Sequence, residues 1–468
     1  MAMIQLIIPI HVYGQDTDIL DAYISIALES NIALKQKQYS YEKSLEALKE
    51  AKRKYFPVVS LEADYTKAEG GRTITIPFGD MLNPAYENLN LINNTLSEND
   101  PTYPAIPTYP GVDNLTMNFV REKEQETKLK AAMPVFNTEI IYNHKIKKGL
   151  SQVEEIDVEI YKRELVKEVK TAYVNYLKAL EAYDLYENTL SVVRENLRNR
   201  QSLYENDKIT VDEVYAARAK VKEIEKELTD AEKNKKLAQA YFNFLLNRDF
   251  DISIDTSIQS ETDPVYYDLD SLKQQSVQNR EEIEQLDKYL EINSNKVNLE
   301  QGDFLPQISL WASYGYQDEE YNFDSDHDVG MAGVTLSWNI FSSGQRQAKI
   351  QQAQIEKKIT QEKKLEAEKQ IQLNVIDGYY SMIAAGKGIE LAEEEAKNYS
   401  RTFDLVNKKY DLGMANHLEY TQALNDKLNA QNKLILARYE YEMQQINLER
   451  ITSSYEFKTN TNNNEKDN

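Results

Sequence analysis

Val334-Thr335-Leu336-Ser337-Trp338-Asn339-Ile340-Phe341-Ser342-Ser343-Gly344-Gln345-Arg346 runs from an alternating apolar segment into a Ser-Ser-Gly turn. Val334, Leu336, Trp338 and Ile340 alternate with Thr335, Ser337 and Asn339. A period of two gives a strand one apolar and one polar face. Just upstream, across a short acidic loop, Ile308, Leu310, Ala312, Tyr314 and Tyr316 alternate with Gln307, Ser309, Ser313 and Gly315, with Trp311 interrupting the polar side. Two further strands of this kind lie in the first half of the chain. Val59, Leu61, Ala63 and Tyr65 alternate with Ser60, Glu62, Asp64 and Thr66, and Leu129, Ala131, Met133 and Val135 with Lys128, Lys130 and Ala132. The strands are expected at about 57–67, 127–136, 306–317 and 330–341. Roughly ten residues is the length a tilted strand needs to cross a bilayer.

The halves repeat one another. Tyr55-Phe56-Pro57-Val58-Val59-Ser60-Leu61 is similar to Phe304-Leu305-Pro306-Gln307-Ile308-Ser309-Leu310 at an offset of 249, and Pro134-Val135-Phe136 to Asn339-Ile340-Phe341 at an offset of 205. Tyr204 to Ala217 matches Tyr410 to Ala423 at an offset of 206. The fall from 249 to 205 places a 44-residue insertion in one copy, within the Pro-, Asn-, Gly- and Thr-rich residues 70–118, which read as a long loop. Each copy follows one plan: a helix, a strand, a loop, a second strand, then a pair of very long helices.

The long helices carry a seven-residue repeat. Val169, Tyr176, Tyr183, Leu190, Leu197 and Tyr204 recur in the first copy, and Val375, Met382, Ile389, Ala396, Phe403 and Tyr410 in the second. On the return helix Val214, Ala217, Val221, Ile224, Leu228 and Ala231 alternate steps of three and four. A 3.5-residue seam is the mark of supercoiled helices. Ser151 to Tyr204 would span ~80 Å at ~1.5 Å per residue, far more than one globular core requires.

The resulting organisation is residues 1–14 as a truncated signal peptide, 15–250 as the first repeat, 264–453 as the second and 454–468 as a disordered polar tail. The hairpins fall at 138–247 and 344–453. The signal reading rests on the apolar run Ile4 to Ile10 and on Val12-Tyr13-Gly14 before Gln15, though no Lys or Arg precedes the run.

Composition excludes several function classes. The net charge of −22 argues against a nucleic-acid partner, because phosphate binding runs on clustered Lys and Arg. With no cysteine, thiolate metal sites, cysteine nucleophiles and Cys-linked lipid fall together. The four histidines, His11, His144, His327 and His417, are scattered. No nucleophile–base pattern, phosphate-binding glycine loop or metal spacing appears, so neither an enzyme nor a cofactor is expected. No apolar run of 18 or more residues writes a transmembrane helix, which leaves strands open.

Four strands cannot close a barrel, and an open edge in lipid would leave backbone groups unpaired. Two copies would supply eight strands, filled by their own side chains, and three would supply twelve, with room for a lumen. Geometry alone does not choose. The rivals are a coiled-coil scaffold, or an adaptor protein without a pore. The duplicated frame of four strands of matching length favours the membrane reading.

The full arrangement resembles the TolC-like outer-membrane efflux proteins. The resemblance is carried by Ala27-Leu28-Glu29-Ser30-Asn31, by Phe304-Leu305-Pro306 entering a strand, and above all by 334–346 with Ala348 and Ala353 beyond it. It implies an α+β membrane protein, a homotrimer with a 12-stranded barrel continuous with a helical periplasmic tunnel. It also implies an outer-membrane location and passive export from a periplasmic adaptor and an inner-membrane pump, in a tripartite efflux or type I secretion system. Residues 70–118 would then face the exterior, and Tyr65, Tyr314, Tyr316 and Trp338 would form aromatic belts in outer-membrane lipid.

The resemblance also assigns sites at the hairpin tips. Adaptor docking falls on Asp207 and Lys208 in the first copy and on Gly413 and Met414 in the second. Glu213 and Glu419, six residues past the tip positions, would lie near the periplasmic constriction, where three symmetry-related carboxylates would attract cations. Gln422 replaces a second acidic residue there. Tyr410 matches a tyrosine that holds the hairpins closed, with Glu213 as partner, while Ala415 stands where the family places a basic residue. Thr210 and Asn416 read as N-caps of the return helices.

Overall fold

Alternating strands and helical seams segregate into two units in the structure, a computed structural model that describes residues 18–104, 106–256 and 268–457. The signal-peptide residues 1–14 lie outside the described residues. The sheet unit comprises Glu50–Ile141 and Gln301–Arg346, and the helical unit the remainder.

In the sheet unit, β1 (Val58–Lys67), β4 (Lys123–Phe136), β5 (Gln307–Asp318) and β6 (Asp328–Ser337) form one antiparallel sheet in the order β1-β4-β5-β6. Register follows the alternation. Leu61 pairs with Leu129, Leu129 with Tyr314, and Leu310 with Val334, which collects the apolar side chains on one face. Those five side chains are all exposed. The opposite face is charged, with Glu62 accepting from Lys130 Nζ at 3.1 Å and Lys128 Nζ donating to Glu126 at 2.8 Å. Among the described residues β1 and β6 each have a single strand neighbour, so both sheet edges are open. The second-copy alternation runs past the strand. β6 ends at Ser337, and the Trp338 indole donates to the Phe304 carbonyl at 3.0 Å. At the other end of the sheet, Tyr65 stacks on Tyr321 and Tyr316 meets Phe323 edge-on.

Residues 70–118 are not a plain loop. They contain β2 (Thr73–Ile76), paired antiparallel with β3 (Leu115–Asn118), and α3 (Phe78–Asn99). The Asn and Pro content that suggested a loop is spent otherwise. Asn83 and Asn90 each clamp the returning chain through their amides. Nδ2 of Asn83 donates to Val112 O and its Oδ1 accepts from Val112 N, at 2.9 and 2.8 Å. Asn90 treats Tyr109 in the same way. Gly79 lies against the same segment, where a Cβ would come within 2.5 Å of Val112 O.

The helical unit holds two long antiparallel hairpins, α4 (Thr138–Glu205) with α5 (Val211–Leu245), and α8 (Gln345–Asp411) with α9 (His417–Thr452). Each repeat opens with two helices rather than one: α1 (Asp18–Ser30) and α2 (Ile32–Arg53), then α6 (Leu269–Asn279) and α7 (Glu281–Gly302). The Asn31 side chain joins the first pair, accepting from Leu34 N at 3.0 Å and donating to Leu245 O at 2.9 Å. The seams bury Val169, Leu190, Val375, Met382, Phe403 and Tyr410, but Tyr204, the last member of the first series, is 44% exposed.

Of the tail expected at 454–468, only residues 454–457 are among the described residues, and these are ordered. Residues Ser454 to Phe457 pack on α4, where Arg163 Nη1 donates to Tyr455 O at 2.8 Å and covers the Phe457 ring, and Lys170 covers the Tyr455 ring. Two aromatic side chains in a polar segment explain the order: they add apolar area to the core around Leu165 and Phe242.

Candidate functional site

The two hairpins meet near their tips, within the helical unit. Both turns close the same way. Asp207 N donates to Tyr204 O and Lys208 N to Leu203 O, each at 2.9 Å, and Gly413 N donates to Tyr410 O and Met414 N to Lys409 O, at 3.1 and 2.7 Å. This pair of bonds satisfies the last carbonyls of a helix and requires a left-handed residue after it. Asp207 supplies it at φ 55° and Gly413 at φ 71°. Asp207, Lys208, Gly413 and Met414 are all exposed, as are Leu412 and Leu418 beside them.

The return helices start differently. Asn416 accepts from Glu419 N at 2.9 Å, and its amide donates back to Glu419 Oε1 at 3.1 Å, a reciprocal cap. Thr210 stands at the cap of α5 with extended backbone but makes no side-chain bond to it. The carboxylate of Glu419 is thus engaged in capping, whereas that of Glu213 turns toward the other hairpin.

There it enters a polar cluster around Tyr410. The Tyr410 hydroxyl lies 3.4 Å from Glu213 Oε2 and 3.1 Å from His417 Nδ1, and Thr421 Oγ1 lies 3.3 Å from His417 Nε2. Arg200, from α4 of the first hairpin, is only 3% exposed. Its guanidinium stacks 3.6 Å over the Tyr410 ring, donates to Tyr410 O at 3.2 Å, and stands 3.5 Å from Glu213 and 3.7 Å from Asp411. Beneath it, Tyr410 stacks on Tyr420 at 4.7 Å and Tyr420 meets Phe403 at 5.7 Å. Burial pushes the Tyr410 hydroxyl up to about 12, with Arg200 opposing and Glu213 adding to the rise. Burial also holds His417 below the ordinary imidazole range; Glu213 pulls it up and Arg200 pushes it down.

The structure therefore brings Glu213 and Tyr410 together and leaves Glu419 outside the cluster. The sequence analysis does not single out Arg200: with Ala415 at the second tip, the basic group beside Tyr410 comes from the other hairpin. The signal was present. Leu190, Val193, Leu197, Arg200 and Tyr204 alternate steps of three and four, so Arg200 occupies a seam position where a charge needs partners.

Higher on the same unit, α4 and α9 are zipped by opposite charges, Glu164 with Arg450 and Lys170 with Glu449. The zip then fails at Glu181 and Glu442, which line a cavity of about 1020 Å³ with Tyr439 and Met382. Burial, reinforced by Glu181, raises Glu442 to about 7. No group among the described residues is placed to hold a metal ion, and no helix among them is long and apolar enough to cross a membrane.

Residues 272–454 match a protein-family model described as outer membrane efflux protein. A curated relative, the solvent efflux pump outer membrane protein SrpC of Pseudomonas putida, is 27% identical over 162 residues. That alignment spans 34% of this chain and 34% of the relative, about a third of its length. Among solved structures, CusC superimposes with a TM-score of 0.71 at 15% identity, covering 94% of this chain and 95% of that one. The outer membrane protein VceC of Vibrio cholerae gives 0.69 at 16%, covering 92% and 95%. At these identities the likeness is one of fold, and it extends over both repeats.

Proposed function

We propose that this chain, whose residues 272–454 match the outer membrane efflux protein model, is the outer-membrane exit duct of a tripartite efflux or type I secretion system. Substrate would pass down its gradient from an inner-membrane pump and periplasmic adaptor to the exterior, without catalysis. One observation carries the reading: a sheet of bilayer length that exposes its apolar face and, among the described residues, buries no core behind its charged face and ends in two open edges. Such a sheet is a liability in water and incomplete in lipid. Closing it with further copies of the same four strands resolves both problems, and three copies give a 12-stranded barrel wide enough for a lumen. The charged ladder of Glu62, Lys128 and Lys130 then faces water, and Tyr65, Tyr316 and Trp338 mark the two interfaces.

Within that reading the exposed tips carry adaptor docking. Asp207, Lys208, Gly413 and Met414 ring them, and Leu412 and Leu418 add apolar area that water does not favour. The Arg200–Tyr410–Glu213 cluster ties the two hairpins of one protomer together and is proposed as the closure of the periplasmic end. Glu419 is proposed to line the pore beside it.

The test is the mass of detergent-extracted protein from an alkali-washed outer-membrane fraction. Three times 54.2 kDa supports the duct. A monomer or dimer that stays soluble without detergent overturns it in favour of a coiled-coil scaffold. In bilayers the trimer should conduct, and Glu419→Lys should shift cation selectivity; unchanged reversal potentials would remove Glu419 from the pore.

A further inference from the structure

α3 is inverted relative to an ordinary surface helix. The face it packs inward is polar and small, with Gly79, Asn83, Tyr86 and Asn90 turned to the segment around Tyr109 and Val112. Its outward face carries Phe78, Leu82, Ala85, Leu89, Ile92 and Leu96, which alternate steps of four and three over the whole helix. All five of the large side chains are at least 39% exposed. A 3.5-residue apolar repeat is complementary to other helices carrying the same repeat. Nothing else among the described residues covers it.

We propose that this seam is an interface with the α3 helices of further copies of this chain, forming a three-helix bundle at the loop end of the barrel. The proposal rests on the trimeric reading above. Two features select a second copy as the occupant. The charges of α3 are Asp80, Glu87 and Glu98, with no Lys or Arg, and all three lie away from the seam. The seam is flanked on its free side by Met81, Asn88 and Thr95 and on its other side by Asn93 and the inward-packed Gly79 and Tyr86, none of them charged, so like helices meet without repulsion. An anionic lipid surface, by contrast, calls for basic residues on the polar face, which α3 lacks. The second feature is continuity. The insertion leaves directly from β1, the strand whose free edge a neighbouring protomer must pair in a closed barrel.

Because the chain has no cysteine, any disulfide reports an engineered contact. A disulfide needs Cα atoms within roughly 4.4–6.8 Å, which only seam positions of adjacent helices would offer. Purified trimers of Ile92→Cys, oxidised and denatured without reductant, should run with about two chains in three as a covalent dimer, one bridge per trimer. Glu87→Cys, on the face of α3 opposite the seam, should stay monomeric on the same gel. Ile92 is exposed, so its replacement does not threaten folding. The mass of each variant in detergent is measured first. A trimer whose Ile92→Cys stays reduced, or cross-links no better than Glu87→Cys, overturns the bundle and leaves the duct standing. A protein that is not trimeric overturns both.

Discussion

The two hairpin tips share a backbone and differ in almost everything attached to it. Asp207 and Gly413 hold the same left-handed turn, and the preceding carbonyls accept the same two bonds. Yet at the offset of 206 Tyr204 is exposed where Tyr410 is buried, Val214 replaces Tyr420, Val211 replaces His417, and Thr210 makes no cap where Asn416 makes two bonds. The second tip owns the aromatic stack. The first contributes the groups that reach across to it, Arg200 and Glu213. The two copies share the turn because backbone hydrogen bonding demands it, while their side chains differ as a donor hairpin and a receptor hairpin.

The largest expected consequence lies in that stack. Tyr420→Ala removes a 1%-exposed ring from between Tyr410 and Phe403 and should cost about 3–5 kcal/mol of local stability. Tyr204→Ala, on the exposed equivalent of Tyr410, should stay within about 0.5–1 kcal/mol. Hydrogen exchange of the amides between Phe403 and Leu428 would read both. Equal losses would mean that the hairpins are interchangeable, and the asymmetry only apparent.

Much of this was legible in advance, and the misses have physical causes. The strands could be read because a sheet with one lipid-type face writes a strict alternation, and Val59, Leu61, Leu129, Leu310 and Val334 all landed on it. The seams could be read for the same reason, up to Tyr204. Whether a terminal seam residue is buried depends on what the opposite helix offers: Tyr420 in one repeat, Val214 in the other. Periodicity does not contain that information. Arg200 was hidden because a charge in a helix this rich in charge looks like a solvated face until its partners are known. α3 was hidden by its own asparagines, which are poor helix formers in the abstract but here complete the backbone bonds of a neighbouring segment. The contact between Tyr410 and Glu213 came from the family resemblance, not from spacing.

A smaller effect should separate the tips by pH. His417 is half-buried among Tyr410, Thr421, Glu213 and Arg200, and its folded pKa lies below its ordinary value. The opened tip therefore binds a proton more readily than the closed one, so local stability falls as pH drops through the unfolded value near 6.5. Protection of the Phe403–Leu428 amides should weaken between pH 7.5 and 5.5, beyond the intrinsic change in exchange rate. His417→Gln should flatten that dependence. The first tip, with Val211 in place of His417, should show none of it, and a parallel decline at both tips would assign the acid sensitivity to the carboxylates instead.

The smallest effect concerns the feature the tips share. A non-glycine residue in the left-handed region carries a steric cost from Cβ, reduced for Asp because its side chain can bond locally. Asp207→Gly should remove that cost, while the greater freedom of glycine in the open state takes part of the gain back. The net should be a stabilisation of about 0.5 kcal/mol at the first tip. The reciprocal Gly413→Asp should lose a similar amount at the second, where φ is 71° and a Cβ would meet nothing within 4 Å. With no steric neighbour, the glycine at 413 is required by the backbone angle alone, so the exchange measures conformational cost without packing. If Gly413→Asp instead abolished binding of the proposed adaptor while leaving exchange at the tip unchanged, the position would be held by a partner's approach and not by the turn.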